Sequence, residues 1–195
     1  MIAEPITLEG RWARLEPLVE RYAADLVEAA QEDEIWRYMP AVLKTEEQVL
    51  AWIAAAQAEQ ATGSQQPFAI VDRAAGRAIG STRYLNIMPN DRGLEIGWTW
   101  LARSAWRTPV NTECKFLLLR HAFESLGCIR VQLKTDRRNE RSRRAIERIG
   151  AQFEGILRNH MIMHYGIRDS AYYSIIEAEW PEVKERLVTR LYGDT

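Results

Sequence analysis

The amino-acid sequence predicts a single domain over 1–195, α/β (α+β) in class, with a mixed, mostly antiparallel sheet of about seven strands flanked by helices. Three observations carry this. Between 68 and 101, alternating apolar runs are separated by short turns, which makes neighbouring strands antiparallel. After Leu101 the apolar period changes to that of a helix over 111–126, and 129–135 then alternates again. That β-α-β order implies a crossover between parallel strands. Finally, 195 residues with 47% hydrophobic and 27% charged side chains suit one shared core.

Taken along the chain, the first strand is 11–18, with Ala13 and Leu15 on one face. Leu18, Tyr22 and Leu26 then recur at helical spacing, and a second helix begins at Thr45, where Thr45 and Gln48 match a capping box. Trp36-Arg37-Tyr38-Met39-Pro40, between these helices, reads as an aromatic loop. Strands follow at 68–72, 78–86 and 94–101. Gly127 is placed to end the 111–126 helix, and Gly150 to end a helix over 140–149. A hairpin of 153–164 and 170–177 turns at Tyr165-Gly166, and Pro181 sits where a final helix would start.

Composition excludes several classes. A net charge of -1 gives no global attraction to nucleic acid or anionic membrane, so nucleic acid is not an expected partner. No apolar run reaches the roughly 20 residues a membrane span needs, and Glu4 and Pro5 stand where a signal peptide would be basic and then apolar. The two cysteines, Cys114 and Cys128, are too few for a disulfide scaffold and fit a reducing, cytoplasmic setting. No metal-ligand spacing, phosphate-binding Walker loop, dinucleotide fingerprint or nucleophile elbow is present, so no metal is expected.

Two segments carry candidate chemistry. The 106–112 turn, Trp106 to Thr112, joins a strand to a helix N-terminus, where backbone N–H groups and the helix dipole suit phosphate. The segment 134–144 holds six basic residues against two acidic ones, a local positive patch on a near-neutral chain.

Together with Leu94-Glu95-Ile96-Gly97-Trp98, Trp106 to Glu113, and the 136–150 stretch containing Asn139-Glu140-Arg141-Ser142, this order of elements resembles the GNAT acetyltransferase superfamily, and within it the RimJ/RimL-like branch. The resemblance implies the acyl-CoA N-acyltransferase (GNAT) fold and an N-acetyltransferase that uses acetyl-CoA as acyl donor and a primary amine as acceptor, a peptide N-terminus or a small amine. It also implies coenzyme contacts at Ile96, Trp98, Trp106, Arg107, Thr108, Val110, Asn111, Thr112, Asn139 and Ser142. In the RimL-like pattern, Ser142 is the proton donor to the departing thiolate. Many relatives instead carry a tyrosine four positions later, where this chain has Ile146. Where RimL-like enzymes place a glutamate in the hairpin, this chain has Met161.

For the proton acceptor, Glu95 on the strand before the loop and His160 in the hairpin are the candidates. Trp36, Tyr38 and Tyr173 are the expected acceptor-binding residues. The phosphate loop departs from the family pattern, since it contains no glycine: Pro109 stands where the most characteristic one is expected, and Arg107 and Asn111 occupy positions that are commonly small. A catalytically weak coenzyme-binding or regulatory module of the same fold therefore stays open as the alternative, and a homodimer is an open expectation.

Overall fold

The computed structural model describes residues 5–193. Eight strands form one open sheet in the order β1-β2-β3-β4-β5-β6-β8-β7. They are β1 (Leu8–Glu9), β2 (Ala13–Pro17), β3 (Gln66–Asp72), β4 (Ala78–Met88), β5 (Gly93–Leu101), β6 (Arg130–Asp136), β7 (Gln152–Met163) and β8 (Gly166–Ile176). The helices are α1 (Ala23–Ala29), α2 (Asp33–Trp36), α3 (Glu46–Ala61), α4 (Val110–Arg120), α5 (Glu140–Arg148) and α6 (Trp180–Tyr192). The count of eight rather than seven comes from β1, a two-residue strand too short to show alternation in sequence.

Most boundaries follow local chemistry. Thr45 caps α3 through Gln48, whose side chain reaches back to the Thr45 N–H, so the capping box forms in full. The long helix after β5 stops being α-helical at Arg120 and continues as a π-turn over His121–Ser125. Gly127 then takes φ 65°, the left-handed conformation that glycine adopts without a Cβ clash. Trp36, expected in a loop, closes the short helix α2.

Helices cover both faces. On one, α4 and α6 pack against Leu94, Ile96, Val131, Leu133, Tyr173 and Ile175. On the other, α1 and α3 bury Ala69, Val71 and Trp100.

The β1–β2 turn is locked to α4 by a buried carboxylate. Glu113 accepts the backbone N–H groups of Arg11 (2.7 Å), Trp12 (2.8 Å) and Ala13 (2.8 Å), and the Tyr192 hydroxyl at 2.9 Å. The close approach requires glycine at position 10, because a Cβ there would lie 2.4 Å from the Glu113 carboxylate.

The feature that positions the site is the pairing of β5 and β6. These parallel neighbours are in register only from Gly93–Arg130 to Glu95–Gln132. Beyond Glu95, β5 stays with β4 while β6 stays with β8, so the two strands part toward their C-terminal ends. A bulge on β5 accompanies the parting. Ser81 pairs with Trp100 and Arg83 with Gly97, leaving Trp98 and Thr99 opposite one residue, and Trp98 takes φ 50°.

Candidate active site

The starts of α4 and α5 meet at the end of the sheet where β5 and β6 part. The Arg141 guanidinium on α5 lies 4.2 Å from the centre of the Trp106 ring, and Trp106 Nε1 donates to the Leu101 carbonyl at 2.9 Å. Arg141 also pairs with Glu34 at 3.3 Å. Pro109 is the N-cap of α4, so the first-turn N–H groups of Asn111 and Thr112 have no acceptor within the helix. Thr108 Oγ1 donates to the Ala105 carbonyl at 2.7 Å and accepts from the Val110 N–H at 3.4 Å.

Arg107 is exposed and takes φ 62°, a conformation that glycine would adopt without strain. The loop therefore keeps a left-handed turn although no glycine is there to make it. Arg107→Gly is expected to raise stability by about 0.5–1 kcal/mol, the strain relieved less glycine's extra chain entropy. Thermal unfolding checks this; a lower melting temperature would show that the arginine side chain, not the turn, holds the loop.

A buried cation stands beneath the bulge. Lys115 on α4 donates through Nζ to Thr99 Oγ1, and Thr99 Oγ1 lies 2.7 Å from Thr82 Oγ1. Burial pushes the lysine down to about 8, with no carboxylate to oppose it. Thr99 lies in the part of β5 that has left β6, so this ammonium sits at the inner end of the parted strands.

The opposite sheet face carries a polar cluster. Glu95 is buried and accepts through Oε2 from Asn86 Nδ2 (2.9 Å), Gln132 Nε2 (3.0 Å) and Lys134 Nζ (3.1 Å). A Cβ on Gly97 would lie 2.9 Å from Leu85 and 3.2 Å from Glu95 Oε1, so glycine at 97 is what lets these side chains pack this closely. Lys134 Nζ is 5.9 Å from the centre of the Tyr172 ring, and the Tyr172 hydroxyl is 3.4 Å from His160 Nε2. His160 Nδ1 contacts Ser170 Oγ at 3.0 Å. Burial, then the charges of Lys134 and Arg168, hold this imidazole below its ordinary range and favour its neutral form, with Glu95 opposing. A bulge in β7 between Leu157 and Met161 aims His160 at this face and breaks the simple alternation with His164. His164 instead meets the Trp36 carbonyl at 3.3 Å.

The expected site residues divide between these places. Trp106, Arg107, Thr108, Asn111 and Thr112 lie on the α4 loop and first turn. Val110 and Ile96 face the core, leaving only their backbone to the gap. Asn139 accepts the Ser142 N–H at 3.1 Å and so caps α5, with Ser142 half-buried in its first turn. Trp98 turns to the Glu95 face, where its ring packs on Arg83 at 4.4 Å. Tyr38 stacks edge-on against Tyr165 of the hairpin turn, 5.9 Å between centres.

Two acceptor-side expectations need correction. Trp36 is not an open wall: it is buried against Trp100 at 5.2 Å, with its Nε1 donating to the Ala30 carbonyl. Tyr173 points the other way, fully buried on the α4 face, its hydroxyl donating to Glu147 and accepting from Arg143 of α5. One register step decides this, since Tyr172 and Tyr173 lie on opposite faces. Sequence reading passed over Lys115 and Arg83, and met Lys134 only as part of the 134–144 basic patch. The available signal was a charge inside an apolar period, as with Lys115 amid Cys114 and Phe116–Leu119.

An open sheet whose parallel strands part before a helix N-terminus, with phosphate-binding geometry on one side and a polar cluster on the other, defines an acyltransferase-type fold. The chain belongs to the acetyltransferase (GNAT) domain family, whose sequence profile matches residues 13–152. It is 32% identical over 105 residues to YdaF of Bacillus subtilis (strain 168), a protein named provisionally as a ribosomal N-acetyltransferase. That match covers 54% of this chain and spans just over half of YdaF, 57%. Among solved structures, a GCN5-related N-acetyltransferase from Brucella melitensis superposes with a TM-score of 0.91 at 30% identity, covering 97% of this chain and 86% of that one. RimJ of Mycobacterium smegmatis, solved with CoA-disulfide, shares the fold with a TM-score of 0.84 at 23% identity and 95% coverage of both chains. Among the described residues no helix is long and apolar enough to cross a membrane, and no cluster of three or more His, Cys, Asp or Glu could hold a metal.

Proposed function

We propose that the chain is an N-acetyltransferase that moves an acetyl, or related acyl, group from acetyl-CoA to a primary amine by direct attack. The observation that carries this reading is the parting of β5 from β6 beyond Glu95, between the start of α4 and the polar cluster. The α4 loop supports the anionic end of the coenzyme, through the N–H groups of Asn111 and Thr112 and the guanidiniums of Arg107 and Arg141. Lys115 adds a buried positive charge at the same end of the gap. The name of YdaF, a ribosomal N-acetyltransferase, supports a protein amine as acceptor, and a protein N-terminal amine is the one proposed here.

The thioester supplies an activated acyl carbon, and this chain's residues orient the amine and manage two protons. Glu95 takes the proton released as the amine attacks, through Oε1, while its three donors fix Oε2. Backbone N–H groups of β5 beyond Glu95, which β6 no longer pairs, polarise the acyl carbonyl. Ser142 returns a proton to the departing thiolate.

Thiol release from acetyl-CoA with a panel of amines and peptides tests the reading. Glu95→Gln is expected to lower kcat by about a hundredfold. Ser142→Ala is expected to lower kcat about tenfold with unchanged coenzyme affinity. An unchanged kcat in Glu95→Gln would transfer the base role to His160 or solvent. Coenzyme binding without thiol release from any acceptor would favour a regulatory module.

A further inference from the structure

On the Glu95 face, one buried charge has no part in the chemistry above. Arg83 is 3% exposed and lies on β4 directly across from Gly97. Its Nη1 donates to Gln65 Oε1 at 2.8 Å, but Nε and Nη2 are buried without any acceptor. The guanidinium is held between two indoles, 5.0 Å from the centre of Trp52 on α3 and 4.4 Å from that of Trp98 on the β5 bulge. Trp100, against which Trp52 packs at 6.3 Å, also buries an indole N–H with no acceptor. Burial holds the guanidinium down to about 10, and the charge of Glu59 only partly offsets this.

Ring faces hold a cation in place, but they do not supply the in-plane acceptors that a guanidinium fork matches. A planar anion with two oxygens does. The location gives such an anion a purpose. Arg83 and Glu95 are diagonal neighbours across β4 and β5, with Cα atoms about 7–8 Å apart. Gly97 between them contributes no side chain, and Glu95 Oε1 and Leu85 pack closely against its backbone. An amine presented to Glu95 therefore brings any group a few bonds away toward Arg83. Trp98, half-buried and held at φ 50° by the bulge, is the wall that must turn to admit it.

We propose that Arg83, walled by Trp52 and Trp98, is the acceptor-recognition group, and that it selects amines carrying a carboxylate. This rests on the transferase reading for the amine and on the orphaned guanidinium for the carboxylate. The carboxylate belongs either to a free amino acid or to an acidic residue near a peptide N-terminus, and the two sources are separable in the test.

Acceptors are compared in pairs that differ only in carboxylate against carboxamide: free amino acids with their amides, and peptides beginning with Glu or Asp with those beginning with Gln or Asn. The wild-type protein is expected to show at least a tenfold lower KM for the carboxylate member of one series, and that series names the source. Arg83→Gln is expected to abolish the preference while leaving the KM for acetyl-CoA unchanged, and Arg83→Lys to restore part of it. A second readout needs no turnover. Tryptophan fluorescence is titrated with two probe pairs, N-acetylalanine against N-acetylalaninamide and N-acetylglutamate α-amide against N-acetylglutamine α-amide, and only the carboxylate member of one pair is expected to respond, in wild type and not in Arg83→Gln. Turnover without carboxylate preference in either series overturns the proposal and leaves the transferase reading standing. A carboxylate-specific fluorescence response with no thiol release does the reverse. Equal fluorescence responses within both pairs also overturn it, whatever the enzyme assay shows.

Discussion

Lys115→Met is expected to stabilise the folded protein at pH 7 by up to about 3 kcal/mol, at roughly 1.4 kcal/mol for each unit by which burial lowers the lysine from 10.5 to about 8. The sign follows from proton linkage. Below about 8 the folded and unfolded chains both carry the proton, so the folded state bears the full penalty of the buried charge. Between about 8 and 10.5 the unfolded chain retains a proton the folded protein has released, and this group's contribution to stability rises with pH. The gain from Lys115→Met should therefore shrink across that window, read as the difference between variant and wild type. Taking the difference removes the groups that do not interact with Lys115. Methionine fills a similar volume without a charge. The same substitution is expected to weaken acetyl-CoA binding about tenfold, equivalent to about 1.4 kcal/mol. Denaturant unfolding at several pH values checks the first effect, and coenzyme titration the second. A destabilised variant would mean that the Thr99 and Thr82 hydroxyls more than compensate the charge.

Glu113→Ala is expected to destabilise the fold by roughly 3 kcal/mol or more, because three backbone donors and a half-buried hydroxyl lose one shared acceptor. The effect reaches across the chain. Glu113 ties the β1–β2 turn to α4, and Tyr192 brings in α6, with its ring stacked on Trp12 at 5.7 Å between centres. Tyr192→Phe removes only one of these bonds and should cost about 1 kcal/mol. Chemical denaturation of the two variants ranks them; equal losses would place the stabilisation in the Tyr192 contact rather than in the capped turn.

Much of the fold was legible because its signals are local. Alternation marked the central strands, the Thr45–Gln48 pair marked the start of α3, and Gly127 marked the end of the long helical segment. The β-α-β order from Leu94 to Thr135 was enough to make β5 and β6 parallel. What stayed hidden depends on register and depth. The β5 bulge at Trp98 and Thr99 was one such feature, because backbone strain at a non-glycine position leaves no mark in sequence. Tyr172 and Tyr173 are adjacent and chemically alike, and only strand pairing assigns the first to the Glu95 face and the second to the core. Lys115 and Arg83 count as surface charges in a composition, yet the fold buries both. Their importance comes from what they lack, a carboxylate for one and two acceptors for the other. The loop was the reverse case. Its missing glycine was visible, but that Arg107 adopts glycine's conformation was not.

The measurement that bears most directly on the central claim is calorimetric titration of the protein with acetyl-CoA and with free coenzyme A. The parted strands, the start of α4 and the cations around it are expected to give saturable one-to-one binding of both, at about micromolar dissociation constants (roughly −8 kcal/mol) that weaken as salt is raised. No heat of binding with millimolar ligand at low salt would contradict the account, whatever the fold resembles.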